Sequence, residues 1–450
     1  MDQKPKIGYF PIGRIHFDSR LAQESAKALY ESIKDAGFEV VGNLDVSWNN
    51  DDIEKALSTS ADEDLDIALV LNTTFTDSSM VKRIAERMDA PVVLWSIPEQ
   101  WRGGRLRLNS FTGMNLAAHA LKQSGIYYFY IYANPSDSDS TQYLKRVALA
   151  ARAVKSLKSS KIGIIGEHPE GFETCDYNNE QLQELFGVGI KTFSIQEFFN
   201  DIGRIGVDQI KSIKEKLSNE IDGMDKLEQD AIDSSLASYL AFMQLKKNNG
   251  IAGLAVRCWP EFFTELKCSA CGALALATEN GLPCSCEADV LGLLSQILLE
   301  KLSGNSAVGI DLVGFDFEKN QAALWHCGNA PLDFANPKEQ IKAIEHTNRG
   351  LPLLFQFAFK PGVVTIARLH QMQGQITLII NRGKMLDLPG PYSGTCGIIE
   401  FERPANEVYK MIMDLGLEHH IAFTYGDVVD ELEVTAELLG LPVINLINNR

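Results

Sequence analysis

The sequence predicts an α/β protein with two Rossmann-like α/β domains followed by a β-rich, barrel-like C-terminal domain. Three observations predict it: a length of 450 residues, short apolar runs that alternate with amphipathic helical segments, and closely spaced apolar runs after about residue 350. Because a domain commonly holds roughly 100–200 residues, two or three domains are expected. We predict that they span residues 1–158, 159–345 and 346–450.

The first domain repeats a strand–helix unit. A segment with helical periodicity covers residues 18–36 and ends at Gly37, and other helical patterns fill the remaining gaps. Strands alternating with such helices indicate a parallel sheet covered on both faces, with ligands bound beyond the carboxyl ends of its strands. The predicted strands are KIGYF (6–10), FEVVG (38–42), LDIALVL (65–71), APVVLWSI (90–97) and YYFYIY (127–132).

In the second domain the alternation of strands and helices begins again, after a polar segment at 134–142 and a helix that runs to about Ser159. It contains a long charged helical stretch at 207–248 and a helix at about 287–301. Its predicted strands are KIGIIG (161–166), IAGLAVRC (251–258), AVGIDLV (307–313) and QAALWHC (321–327).

The third domain has a different pattern. LLFQFAF, VVTIARLH and QITLIIN follow one another closely and are separated by Lys-Pro-Gly and by Gly. This spacing is typical of antiparallel hairpins or a small barrel. Two helices, at 405–416 and 427–439, close the domain.

Charge and cysteine usage limit the partners and the compartment. The net charge of −17 argues against binding to nucleic acid or to an anionic membrane surface. No stretch approaches 18 uninterrupted apolar residues, so no membrane span is expected, and the first residues lack the apolar run of a signal peptide. Eight cysteines in a chain of this kind are expected to be reduced thiols. Together these features predict a cytoplasmic protein.

Several acids and histidines lie near predicted strand or helix ends. Glu287 precedes an apolar helix, Asp311 lies within a strand, His326 ends the next strand, and His419 and His420 open a late strand. Two carboxylates and one histidine suit a hard divalent ion such as Mn²⁺. The alternative is that these are solvated acids and helix caps, because most acids in a chain lie on the surface.

Two further clusters have competing interpretations. The first is a group of four cysteines whose close spacing suggests a structural zinc site, namely Cys268, Cys271, Cys284 and Cys286. The alternative is that they are small thiols buried in the core. The loop WRGGRLRLNSFTG (101–113) follows a predicted strand.

In this loop Trp101, Arg102 and Arg105 are candidates for binding the substrate. Arginine is suited to bidentate contact with an oxyanion, and a solvated loop is the alternative. An inward-facing loop would suit a substrate that carries a phosphate or a sulfonate.

Four segments precede a late EHHIAF: VRCWPEFF (256–263), CEADVLGLL (286–294), GIDLVGFD (309–316) and ALWHCG (323–328). Their order resembles the L-fucose/L-arabinose isomerase superfamily, whose members are aldose–ketose isomerases. Glu287 and Asp311 resemble that family's two carboxylate ligands, and the resemblance implies that they also carry the catalysis. His420, with His419 as the alternate, resembles the third ligand. The implied metal is Mn²⁺, with Mg²⁺ and Co²⁺ as alternatives.

The resemblance also implies substrate-binding residues. His326 resembles an additional site histidine of the arabinose branch, and Phe172 lies in GFETCD, which resembles a loop over the substrate. His119 lies on a helix that would approach the site of a neighbouring subunit, which implies a homo-oligomer with shared active sites. Glu261 in CWPEF is either a partner of the ligands or a surface acid.

The function implied is metal-dependent aldose–ketose isomerisation of a hexose or pentose through an enediol. A sulfosugar substrate is included, because fucose isomerase-like proteins include sulfoquinovose isomerases, which form sulfofructose. A metal at two adjacent sugar oxygens would stabilise the enediolate, and a positioned carboxylate would move the proton. The main alternative is a sugar-binding sensor without catalysis, and a zinc-stabilised interaction protein is a second.

Overall fold

The computed structural model of the chain describes residues 4–60 and 62–447. They form two compact units, Met1–Lys155 and Ser156–Arg450. The division into three domains at 158 and 345 remains a prediction. In the part of the chain that the model covers, no helix is both long and apolar enough to cross a membrane.

The first unit contains a parallel sheet of five strands. Its order is β2-β1-β3-β4-β5, and every pairing in it is parallel. Strands β3 and β4 are buried along their whole length, as expected for the centre of a sheet covered on both faces. The five predicted strands are confirmed. They are β1 (Lys6–Ile12), β2 (Glu39–Gly42), β3 (Ile67–Asn72), β4 (Val92–Ser96) and β5 (Tyr128–Tyr132).

The helices of this unit fill the gaps between strands. Asp18 caps the first helix, since its side chain accepts a hydrogen bond from the Leu21 backbone N–H at 3.0 Å. The helices are α1 (Ser19–Asp35), α2 (Asn50–Ser60), α3 (Ser79–Arg87), α4 (Ser110–Gln123) and α5 (Ser138–Lys158).

The second unit begins with a smaller parallel sheet in the order β7-β6-β8-β9. The long helical stretch predicted at 207–248 is two helices, because Gly223 adopts a left-handed φ of +85° between them. The strands are β6 (Lys161–Ile165), β7 (Gly189–Phe193), β8 (Gly253–Val256) and β9 (Cys284–Ser285). The helices are α6 (Asn179–Phe186), α7 (Ile195–Ile202), α8 (Val207–Glu220), α9 (Gln229–Asn249), α10 (Glu261–Thr264), α11 (Cys271–Glu279) and α12 (Val290–Ser303).

The remaining strands form a nine-stranded sheet in the order β12-β13-β16-β11-β10-β17-β14-β15-β18. An additional β15–β16 pairing closes six of them into an antiparallel barrel. The strands are β10 (Ala307–Asp316), β11 (Gln321–His326), β12 (Lys342–Ile344), β13 (Leu354–Ala358), β14 (Gly362–Met372), β15 (Gln375–Met385), β16 (Thr395–Phe401), β17 (His420–Tyr425) and β18 (Val443–Asn445). Helices α13 (Ala405–Leu415) and α14 (Val429–Leu439) lie between the late strands.

Two barrel strands come from the segment that we expected in the second α/β domain. β10 and β11 pair with each other and with β17 and β16, so they belong to the barrel sheet and not to the parallel one. The apolar pattern of a strand does not reveal its partner, which explains the misplacement. The short turn between them, where Asn320 has φ +58°, is the local signal for an antiparallel hairpin.

Helix α12 connects the parallel sheet to the barrel. It is buried along nearly its whole length and packs against β10, β14 and β17. The Asp289 carboxylate caps its first turn by accepting a hydrogen bond from the Gly292 N–H at 2.8 Å, and Gly304 ends the helix at φ +71°. The helix therefore fixes the loop before it against the barrel.

Glu300 near the end of α12 predicts a pH-dependent stability. Burial raises the pKa of this carboxyl to about 7, so the folded chain holds its proton more tightly than the unfolded chain. The free energy of unfolding of the wild type therefore falls as the pH rises from about 4.5 to 7. We expect Glu300→Gln to stabilise the protein. The gain in the free energy of unfolding should be about 1–2 kcal/mol larger at pH 8 than at pH 5.5.

Urea unfolding at the two pH values measures this difference. Glu318→Gln, at an exposed acid in the β10–β11 turn, is the control and should change the stability by less than about 0.5 kcal/mol at both. Equal effects of Glu300→Gln at the two pH values would contradict the prediction.

Candidate active site

Glu287 lies in a strained loop between β9 and α12. Glu287 and Ala288 have consecutive left-handed φ values of +59° and +55°, which cost of the order of 1–3 kcal/mol each in residues other than glycine. The loop is held because the Ala288 N–H donates to the Val256 carbonyl at 2.9 Å. The Trp259 indole N–H donates to Glu287 Oε1 at 3.1 Å. These contacts fix the Glu287 carboxylate, and strain of this kind is typical of functional sites.

Asp311 and His420 face each other on paired barrel strands, β10 and β17. His420 Nε2 lies 3.7 Å from Glu287 Oε2 and 3.7 Å from Asp311 Oδ1. These separations are too long for hydrogen bonds. Two atoms that each ligate one ion at about 2.0–2.2 Å stand a few ångströms apart, so the spacing suits ligands around a shared cation.

The surroundings of Asp311 also fit a cation. Asp311 Oδ1 is buried and has no hydrogen-bond partner among the residues that the model describes. An unpaired buried carboxylate oxygen is costly, and a bound cation would relieve that cost. The possible ligand atoms form two groups, and within each group all atoms lie within 4.8 Å of one another. One group is Asp311, His419 and His420, and the other is Cys175, Glu287 and His420. His420 is common to both groups.

The two adjacent histidines differ in their surroundings. His420 is buried, and its Nδ1 lies 3.1 Å from Asp289 Oδ2, which leaves Nε2 directed at the two candidate ligand carboxylates. His419 is more exposed, and both of its ring nitrogens have partners, Thr174 Oγ1 at 2.8 Å and Glu287 Oε2 at 3.1 Å. A histidine held at one nitrogen by a carboxylate is the usual arrangement of a metal ligand, so the geometry favours His420.

The pKa values of the site follow from burial and charge. Burial lowers the pKa of His420, but the hydrogen bond to Asp289 and the surrounding carboxylates outweigh it and raise the pKa above its usual value. Burial raises the pKa of Glu287, but His419, His420 and Trp259 outweigh it and lower the pKa. Glu287 is therefore a carboxylate at neutral pH.

A buried ion-pair network supports the site. Arg368 is 1% exposed, and its Nη1 donates to Asp289 Oδ2 at 2.6 Å. Its Nη2 donates to the Thr174 carbonyl at 3.1 Å, and its Nε lies 3.6 Å from Glu418 Oε2. Glu418 Oε2 also lies 2.9 Å from His370 Nδ1. Arg368 thus joins the loop before α12, the segment before His420 and the 171–176 loop.

Our sequence analysis missed this network. Its members carry weak signals: Asp289 lies two residues after Glu287, Glu418 directly precedes the histidine pair, and Arg368 is a lone charge in an apolar strand. A charged residue in a buried strand is rarely left unpaired, and that observation alone points to a partner elsewhere in the chain.

Comparison with known proteins assigns the family. Residues 8–158 match the model of the fucose/sulfoquinovose isomerase N-terminal domain, and residues 324–446 match that of the L-fucose isomerase C-terminal domain. A sulfoquinovose isomerase of Priestia aryabhattai is 30% identical over 441 residues, covering 98% of each chain. The chain belongs to the fucose/sulfoquinovose isomerase family. It is an aldose–ketose isomerase, which favours the enzyme over the sensor that the sequence left open.

Other relatives agree with this assignment. A sulfoquinovose isomerase of Alkalicoccus urumqiensis is 29% identical over 440 residues, covering 97% of this chain and 98% of its own. Among solved structures, a galactofuranose binding protein has a TM-score of 0.18 at 11% identity, covering 62% of this chain and 81% of its own. A score this low carries no argument about the isomerase.

Of three further predicted residues of this isomerase, Phe172 and His326 lie beside the candidate ligands and Glu261 has a different partner. The Phe172 ring is edge-on to the Trp259 ring at 5.5 Å and to the His419 ring at 5.9 Å. His326 is buried with its ring 5.9 Å from that of His420, and burial lowers its pKa. Glu261 instead forms an ion pair with Arg257 Nε at 2.9 Å. Glu261 therefore holds Arg257 and is in neither group of possible ligand atoms.

Four predicted residues lie in the first compact unit. The Trp101 side chain is 99% exposed, and Arg102 is also exposed. Arg105 is exposed, and its Nη2 donates to the His16 carbonyl at 3.0 Å. His119 lies on the exposed face of α4. Their proposed contacts with the sugar remain predictions.

The four clustered cysteines do not form one group. Among the described residues, no three of Cys268, Cys271, Cys284 and Cys286 gather within 4.8 Å as possible metal ligands. Cys286 Sγ instead lies 2.8 Å from Cys258 Sγ, and Cys284 Sγ donates to the Leu282 carbonyl. The alternative of buried thiols accounts for these positions, since all four are buried.

Proposed function

We propose that this isomerase is metal-dependent and converts sulfoquinovose, a sulfonated hexose, into sulfofructose through an enediol. The observation that carries the metal dependence is the pair of 3.7 Å separations around His420 Nε2, together with the unpartnered Asp311 Oδ1. The names of the relatives from Priestia and Alkalicoccus support the substrate.

Glu287, Asp311 and His420 would hold the ion, for which we propose Mn²⁺, with Mg²⁺ and Co²⁺ as alternatives. Carboxylates with one histidine suit Mn²⁺. When bound, such an ion supplies Lewis-acid stabilisation of the negative charge that develops on the two sugar oxygens. Asp289 holds His420 in the tautomer that presents Nε2, and Trp259 orients Glu287 through Oε1.

The proton is moved by one of the two carboxylates, Glu287 or Asp311. A carboxylate that reaches both carbons takes the proton from C2 of the aldose and returns it to C1. The hydroxyl proton on O2 moves to O1 in the same conversion, so the carbonyl group passes from C1 to C2 with no net loss of protons. Glu287 is ionised at neutral pH because its histidine neighbours lower its pKa, so it is able to accept a proton. Phe172, Glu261 and His326 line the sugar site in this proposal.

A metal add-back assay tests the proposed function. The protein is stripped with EDTA, and Mn²⁺, Mg²⁺, Co²⁺ or Zn²⁺ is restored separately. Conversion of aldose to ketose is then followed by NMR for sulfoquinovose, fucose, arabinose and glucose. We expect turnover of sulfoquinovose with Mn²⁺ and none after stripping. Full turnover in the stripped protein would contradict the metal dependence, and turnover of a neutral sugar alone would contradict the substrate.

We further propose a cytoplasmic homo-oligomer whose active sites are shared between subunits. The exposed positions of Trp101 and His119 support it, because both side chains are free to reach another subunit. His119→Ala and Glu287→Gln should each inactivate the enzyme. In a shared site, a mixture of the two variants after subunit exchange should regain about a quarter of wild-type activity.

Light scattering of the same samples gives the oligomeric state, and native mass spectrometry, which resolves the small mass difference between the two variants, measures whether subunits have exchanged. A His119→Ala variant with full activity, or exchanged mixtures that stay inactive, would contradict the shared site.

A further inference from the structure

Arg349 is a cation held between two aromatic rings beside the candidate active site. Its guanidinium carbon lies 4.8 Å from the ring centroid of Trp259 and 4.8 Å from that of Phe263. A guanidinium stacked on aromatic faces is attracted to them and loses rotational freedom. The loop is fixed because the Arg349 N–H donates to the His346 carbonyl at 3.1 Å. The guanidinium is thus positioned in advance of binding.

The charge of Arg349 is also uncompensated. In the described part of the chain, no carboxylate lies within 4.0 Å of its guanidinium and no hydrogen bond from it is found, although the side chain is exposed. The two other arginines near the site are engaged, Arg257 with Glu261 and Arg368 with Asp289. In a protein of net charge −17, an arginine that is ordered but unpaired is free to bind an anion.

Trp259 links this cation to the reacting end of the site. One indole carries the Arg349 guanidinium on its ring and donates from its N–H to Glu287 Oε1 at 3.1 Å. These two contacts on one indole limit the separation between the guanidinium carbon and the Glu287 carboxylate to about 10 Å. Five C–C bonds of about 1.5 Å give an open-chain hexose a span of about 6 Å from C1 to C6, and a C6 substituent extends it. A sugar of this length, with a hydrogen bond of about 3 Å at each end, is long enough to span that distance.

We propose that Arg349 is the specificity-determining residue that binds an anionic group at the end of the sugar opposite the carbons that isomerise. The proposal rests on the proposed function and names the element that selects its substrate. The planar guanidinium fork matches two oxygens of a tetrahedral sulfonate. Burial and the charge of Arg349 lower the pKa of His346 to about 4, so this histidine adds no second cation at neutral pH. The site therefore suits a monoanion.

Two sugars that differ only at C6, sulfoquinovose and glucose, test this assignment. With the Mn²⁺-loaded enzyme, Arg349→Gln should lower kcat/KM for sulfoquinovose about 10- to 100-fold, mainly through KM, since a charged hydrogen-bonded pair is lost. Activity on glucose should change less than about twofold. Arg349→Lys should recover part of the loss, because lysine restores the charge but not the fork.

Calorimetry of sulfoquinovose binding keeps this test separate from turnover. Arg349→Gln should weaken sulfoquinovose binding about 10-fold or more whether or not the wild type isomerises the sugar. Absence of turnover in the wild type would refute the proposed function and leave the role of Arg349 in binding standing. Arg204→Gln, at an exposed arginine that pairs with Asp201, is the matched control and should bind sulfoquinovose like the wild type. Unchanged sulfoquinovose binding in Arg349→Gln, or an equal loss in Arg204→Gln, would overturn the proposal.

Discussion

Replacing Glu287 with glutamine should lower kcat by about 10³-fold or more while the protein stays folded. Glutamine keeps the shape of the side chain and the acceptor for the Trp259 N–H, but it loses the charge that faces His419 and His420. A positioned acid–base group typically contributes 10²–10⁴-fold, and loss of a metal ligand adds to this. Asp311→Asn should have a comparable effect, since Asp311 Oδ1 shares the space beside His420 Nε2.

Steady-state kinetics on the sugar that the wild type converts, with circular dichroism of each variant, measure this effect. Glu300→Gln is the matched control, because it neutralises an acid near the far end of the helix that follows Glu287 and should leave kcat unchanged. Wild-type activity in either the Glu287 or the Asp311 variant would remove that residue from the mechanism.

Replacing Arg368 with methionine should destabilise the protein by about 3–5 kcal/mol. Arg368 and Asp289 are each 1% exposed, so the substitution leaves the Asp289 carboxylate buried without its cation, and Glu418 loses the same neighbour. Breaking a buried ion pair at one partner costs about this much. The midpoint of thermal unfolding should fall by roughly 3–8 °C.

Arg382→Met provides the contrast on the neighbouring strand. Arg382 pairs with Glu402 and Asp427, which are substantially exposed, so its loss should cost less than about 1 kcal/mol. Adding Asp289→Asn to Arg368→Met should recover part of the lost stability, because it removes the buried negative charge that Arg368 no longer compensates. Equal effects of Arg368→Met and Arg382→Met would show that the buried network is not what stabilises this region.

The sequence predicted the positions of helices and strands better than it predicted which strands pair with one another. Hydrophobic runs and helical periodicity located the strands of the first sheet, because both reflect local burial. The partners of β10 and β11 were misassigned, since pairing is decided by distant segments. Glu287, Asp311 and His420 were grouped first by their positions near the ends of predicted elements, with solvated acids as the alternative, and the order of family motifs then favoured the ligand role. The role of Arg368 required its contact with Asp289, which no local pattern encodes.

The position of β17 affects the order in which this enzyme is able to become active. It is the last of the six barrel strands in sequence, yet it lies between β10 and β14 in the sheet and carries His420. During synthesis the edges of β10 and β14 that pair with β17 therefore stay unpaired until this segment leaves the ribosome. Such non-local pairing folds slowly and exposes strand edges to aggregation, so the nascent chain should depend on chaperones until β17 inserts.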